Sequence, residues 1–74
     1  MTGPDLKNIR QGLGYGQPDF ARLLGMFGES RGSKLSDMER EERPIPWKTA
    51  QLAFCYFAIG DKSEINGIAD VNKP

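Results

Sequence analysis

Leu6, Ile9 and Leu13 recur at spacings of three and four, the rhythm of one helical face. Pro4 and Asp5 suit a first turn, and Gly12 and Gly14 bracket an end, so the spacing predicts a helix over about 5–13. Tyr15-Gly16 then makes a turn. Gln17-Pro18-Asp19 opens a second helix over about 17–24, with Phe20, Leu23 and Leu24 inward, Ala21 against a neighbour and Gly25 as the stop.

Met26 to Gly32 is a glycine-rich connection. A third helix is predicted over about 34–41, with Ser33 as N-cap and Ser30 as the alternative. Leu35 and Met38 are its apolar residues, so it buries one narrow face. Arg43-Pro44-Ile45-Pro46 cannot be helical throughout, because a residue before proline is pushed to extended geometry. A fourth helix follows over about 46–59 and stops at Gly60. Ala50, Ala53, Phe54, Phe57 and Ala58 form one apolar stripe; Leu52, Tyr56 and Ile59 form a second. A helix apolar nearly all round is covered on more than one side. The 74-residue chain is too short to cover both, so Leu52, Tyr56 and Ile59 are expected to meet a second copy.

The remainder is polar, with Ile65, Ile68 and Val71 scattered through it and a turn signal at Asn66-Gly67. A frayed end, a short helix and an added strand all stay open there. The expected architecture is all-α: a compact four- to five-helix domain over 1–60 and a polar C-terminal tail over 61–74. Leu6, Ile9, Leu13, Phe20, Leu24, Leu35, Met38 and Phe54 are its expected core, and Trp47 is expected to pack at the start of the fourth helix.

Composition narrows the chemistry. There is one cysteine, Cys55, and no histidine. No intramolecular disulfide can form, and one thiol alone makes no zinc site. Cys55 lies in an apolar run and is expected to be a small buried hydrophobe. A serine or cysteine nucleophile would lack its usual base, and no phosphate-binding glycine loop is present. The expectation is therefore no enzyme and no cofactor. No stretch reads as a signal peptide or a membrane span, and the lack of disulfides fits the cytoplasm. Ten Lys and Arg balance ten Asp and Glu, giving zero net charge. That weighs against an indiscriminate nucleic-acid binder and moves the question to where the charges sit.

Two short helices joined by a glycine-containing turn in a compact helical domain make a helix-turn-helix pattern. The residues strengthen it. The stretch from Leu6-Lys7-Asn8-Ile9-Arg10 through Gln17-Pro18-Asp19-Phe20-Ala21-Arg22-Leu23-Leu24-Gly25 resembles the opening of the lambda-repressor/Cro-like (XRE-type) helix-turn-helix family. Met38-Glu39-Arg40-Glu41-Glu42-Arg43-Pro44-Ile45-Pro46 resembles the segment that follows that family's recognition helix. Three departures stand out. Met38 replaces a tryptophan, Glu41 replaces a glycine, and the turn before the third helix is about four residues longer than usual.

The resemblance implies a sequence-specific transcriptional regulator. Such a protein binds an inverted-repeat operator in double-stranded DNA as a homodimer and represses, as in small phage or bacterial regulators, including those associated with anti-CRISPR genes. It also implies a DNA contact for Gln17. Arg31, Ser33, Lys34 and Asp37 lie on or near the exposed start of the third helix, where arginine and lysine can read guanine, aspartate can accept from cytosine, and serine can donate to base or phosphate. Arg40 and Arg43 suit phosphates, or equally ion pairs with Asp37, Glu39 or Glu42. Glu39 reads as structural, since phosphates repel a carboxylate. The alternative is a protein-interaction module, an antitoxin or inhibitor, that uses the fold without DNA.

Overall fold

The computed structural model describes the backbone of residues 1–71 and the side chains of residues 1–68. Among them are five helices and no strand: α1 Gly3–Leu13, α2 Gln17–Leu23, α3 Arg31–Glu39, α4 Trp47–Ile59 and α5 Lys62–Val71. Residues 72–74 of the expected tail lie outside the described residues. No described helix is long and apolar enough to cross a membrane.

Thr2 starts α1. Its hydroxyl accepts from the Asp5 N–H at 3.2 Å, and the Asp5 carboxylate accepts from the Thr2 N–H at 3.2 Å. This reciprocal box satisfies donors that the helix leaves open. The Thr2 N–H, and after it the hydroxyl, hold the Asp5 carboxyl below its ordinary pKa. Gly14 ends the helix at φ 83°.

Gly3 is where α1 crosses the end of α3. A Cβ there would lie 2.4 Å from the Glu39 carbonyl oxygen and 2.7 Å from that of Met38. Only glycine lets the two backbones approach so closely.

The core joins all five helices. Phe20, Leu6, Leu35 and Ile65 are fully enclosed, with Ile9, Leu13, Tyr15, Ala21, Leu23, Leu24, Met38, Ala53 and Tyr56 around them. Tyr15 stacks on Phe20 with ring centroids 5.8 Å apart, and Tyr56 meets Phe20 edge-on at 6.5 Å. Seven of the eight expected core residues are buried; Phe54 is the exception.

α3 begins three residues ahead of its predicted start. Ser30, not Ser33, precedes it, and makes no side-chain cap bond. Gly32 lies inside the helix because α3 passes against α2 there: a Cβ on Gly32 would stand 3.2 Å from Pro18 Cγ. Tertiary packing outweighs the poor helix propensity of Gly32. At the other end the helix stops at Glu39, two residues early, and Glu41 takes a left-handed φ of 62°. That conformation costs a non-glycine residue on the order of 1 kcal/mol. The Glu41 carboxylate accepts from the Gly3 N–H at 3.2 Å, which offsets part of it.

α4 turns a different side to the core than its stripes suggested. Thr49, Ala53 and Tyr56 are buried, and Ile59 packs half-buried against the core. Phe54 is 55% exposed, Phe57 61% and Trp47 70%, so these aromatics, expected inside, face out. Cys55 is exposed as well. The cause is packing. Thr49 and Ala53 are the small side chains of the buried face, and the Tyr56 hydroxyl donates to the Leu23 carbonyl at 2.7 Å. Tyr56 thus fixes α4 on the end of α2 and is not available to a second copy.

The segment expected as a polar tail forms α5. The Asp61 carboxylate caps it, accepting from the N–H groups of Ser63 at 2.8 Å and Glu64 at 3.4 Å. Ile65 enters the core. The Tyr15 hydroxyl donates to Asn66 Oδ1 at 3.2 Å, and Lys62 Nζ donates to the Gly14 carbonyl at 3.2 Å while standing 4.7 Å over the Tyr15 ring. Asn66-Gly67 makes no turn; both residues continue the helix.

Candidate functional site

A polar groove of about 500 Å³ runs along α3 where α2 begins. Its wall along α3 is Ser33, Ser36 and Asp37, with Arg40 at the C-cap; they fall at i, i+3, i+4 and i+7 and so share one side. Leu35 and Met38 point the other way into the core. Gln17 and Pro18 form the opposite lip, and Glu29 and Gly32 the end.

Four of the seven predicted DNA-contacting residues therefore meet in one place: Gln17, Ser33, Asp37 and Arg40. The other three lie outside the groove. Arg31 is half-buried, and its Nε and Nη1 donate to the carbonyls of Pro18 and Gly28 at 3.1 Å each. It braces the start of α3 onto α2. Lys34 is half-buried beyond the wall, and Arg43 is exposed in the loop before α4.

Gln17 is held from beneath. Its Nε2 donates to Glu39 Oε1 at 3.2 Å. Glu39 in turn accepts from Arg10 twice, from Nε at 2.7 Å and from Nη2 at 3.1 Å, and Arg10 Nη1 donates to the Tyr15 carbonyl at 2.9 Å. Arg10 is 8% exposed and Glu39 7%. A bonded chain thus runs from the end of α1 through the end of α3 to the groove's lip. Glu39 is structural, as its sign suggested. Arg10 is inside as well and adds no charge to the outer face.

The groove's lining is net acidic, with Glu29 and Asp37 against Arg40. Arg40 Nη2 donates to Asp37 Oδ1 at 2.9 Å and to Glu42 Oε2 at 3.4 Å, so its guanidinium is partnered, and Glu29 adds a further carboxylate. What the groove presents is a strip of hydrogen-bonding groups: two hydroxyls, an amide, two carboxylates and a guanidinium. Glu29, Ser36, Pro18 and Gly32 were missed as lining residues. The 33, 36, 37, 40 spacing carries a signal for Ser36; nothing local marks Glu29.

The three residues expected to meet a second copy do not form one surface. Leu52 is 37% exposed, Ile59 is half-buried and Tyr56 is in the core. No family model matches this chain, and searches of curated proteins and of solved structures return no match.

Proposed function

We propose that this protein is a sequence-specific DNA-binding regulator of the helix-turn-helix type, lambda-repressor-like in fold, acting in the cytoplasm as a homodimer on an inverted-repeat site. The observation that carries the reading is the groove. Gln17 at the start of α2 stands beside Ser33, Asp37 and Arg40 on the outward face of α3, and α2 and α3 lock through Pro18 and Gly32. A helix presenting such a strip, braced by a shorter one across its start, is how helix-turn-helix proteins address the major groove. Asp37 accepts from cytosine N4, serine donates to base or phosphate, and Arg40 and Arg43 neutralise phosphates. Two copies would read two half-sites about one helical turn apart and repress by excluding polymerase.

The second reading, a protein-interaction module of antitoxin or inhibitor kind, is favoured by one specific feature. Arg40, the cation at the groove, is already paired with Asp37 and Glu42. The two readings part on a binding isotherm. A labelled fragment from upstream of the gene should bind in fluorescence anisotropy, and its affinity should fall steeply with salt. No binding to upstream fragments at low salt would leave the interaction module as the reading.

A further inference from the structure

Among the described residues, the outward face of α4 is left open at Trp47, Phe54, Cys55 and Phe57. Trp47, Gln51 and Cys55 form a ridge at four-residue steps, and shallow hollows lie on both sides of it. One hollow is closed by Met1, Ile45, Ala50, Phe54 and Ala58; the other by Lys48 and Leu52. Phe57 flanks the first hollow's row, three residues on from Phe54, and is 61% exposed.

We infer that a second copy of this chain covers this face, the α4 of one protomer laid across the α4 of the other. The inference builds on the two-copy part of the proposed function, not on its DNA part, and moves the interface to other residues. Size is the first argument. Side chains of this class present about 150–250 Å² each, so at the observed exposures Trp47, Phe54 and Phe57 alone offer roughly 400 Å². That is half of the ~800 Å² per partner in a standard interface, before Met1, Leu52, Cys55 and Ala58 are added, and it already matches the largest apolar patch of an ordinary monomer.

Charge is the second argument. Among the described residues, Lys48 has the one charged side chain lining the two hollows, and no carboxylate side chain lines either. A two-fold contact sets each patch against itself, so a patch with charges of one sign at its centre would repel its twin. Here the centre is neutral. Shape is the third. A four-step ridge with a hollow on each side is what two helices need to interlock, ridge into groove, at one crossing. Gln51 on each ridge supplies a polar group near the axis, where a pairing of amides fixes the register.

The test uses the full chain without DNA. Trp47 is the protein's one tryptophan and reports directly on this face. Sedimentation should give the mass of two chains, and on dilution the Trp47 emission should move to longer wavelength as the mass falls to one chain. Phe54→Glu and Phe57→Glu change side chains that are mostly in solvent, so helical circular dichroism should persist. Each should raise the dissociation midpoint about 30-fold or more. A wild-type chain that stays single, with water-exposed Trp47 emission at every concentration, overturns the inference, as do folded variants that remain paired. Wild-type chain that pairs but binds no upstream DNA defeats the regulator and leaves this interface standing. A single chain that still binds DNA does the reverse.

Discussion

Arg10 and Glu39 lie 29 positions apart and meet in the core as a two-bond ion pair, with Nε 2.7 Å from Oε2. Removing one partner strands the other charge where water does not reach, which costs about 3–5 kcal/mol. A domain of this size has little more than that in reserve. Glu39→Ala is therefore expected to unfold most of the chain, read as lost helical signal in a urea titration. Replacing both residues together, Arg10→Met with Glu39→Leu, should recover much of the loss. Equal damage from the single and double changes would show that the pair's charge is not what matters.

Gly3 gives a cleaner test of backbone contact. Gly3→Ala drives a methyl into the carbonyls of Glu39 and Met38 and should cost about 1–3 kcal/mol. Gly12→Ala is the matched control in the same helix. Among the described residues nothing stands within 4 Å of a Cβ added there, so it should stabilise by roughly 0.5–1 kcal/mol. Thermal melts should move in opposite directions for the two variants.

Burial raises the pKa of the Tyr56 phenol above its ordinary 10.0, and burial does the same to Tyr15. The unfolded chain therefore loses these protons at a lower pH than the folded one. Their contribution to stability is complete below about pH 10 and declines as the pH rises beyond it. Tyr56→Phe removes one source of that decline. It also leaves the Leu23 carbonyl without its donor, at about 1–3 kcal/mol near neutral pH. Urea midpoints at neutral and alkaline pH should show a lower but flatter profile for the variant.

At the groove, Asp37 both contributes an acceptor and occupies Arg40. Asp37→Asn should loosen Arg40 and remove a negative charge, strengthening binding to unrelated DNA and steepening its dependence on salt. Arg40→Ala should weaken binding to all sequences together and lower the salt slope by about one. Ser33→Ala should act on the preferred sequence rather than on all. Anisotropy titrations at two salt concentrations separate the three outcomes.

The apolar rhythm made the first two helices and most of the core legible, because Leu6, Ile9, Leu13, Phe20 and Leu24 face one direction at regular spacing. Three errors have a common origin in long-range contacts. Gly32 reads as loop until Pro18 packs on it. Asn66-Gly67 reads as a turn until Ile65 anchors the segment in the core. On α4 the apolar spacing grouped Ala53 with Phe54 and Phe57, yet the buried line is Thr49, Ala53 and Tyr56, and Phe54 and Phe57 face out. The extra apolar stripe was itself visible in the sequence; which stripe it was depended on the Tyr56 hydroxyl reaching a carbonyl 33 positions away. In the groove, the shared face of Ser33, Asp37 and Arg40 follows from helical spacing, whereas Gln17's support by Glu39 and Arg31's attachment to Pro18 require the fold.

The joint between Gly32 and Pro18 sets more than the start of a helix. A proline ring resting where glycine has no side chain holds α2 and α3 close at that point, and the Arg31 guanidinium bonds across them beside it. The groove is thus assembled before any occupant arrives. Its occupant would lose its own freedom on binding while the protein surrendered little, so affinity at this site should be sensitive to the occupant's stiffness more than to the protein's.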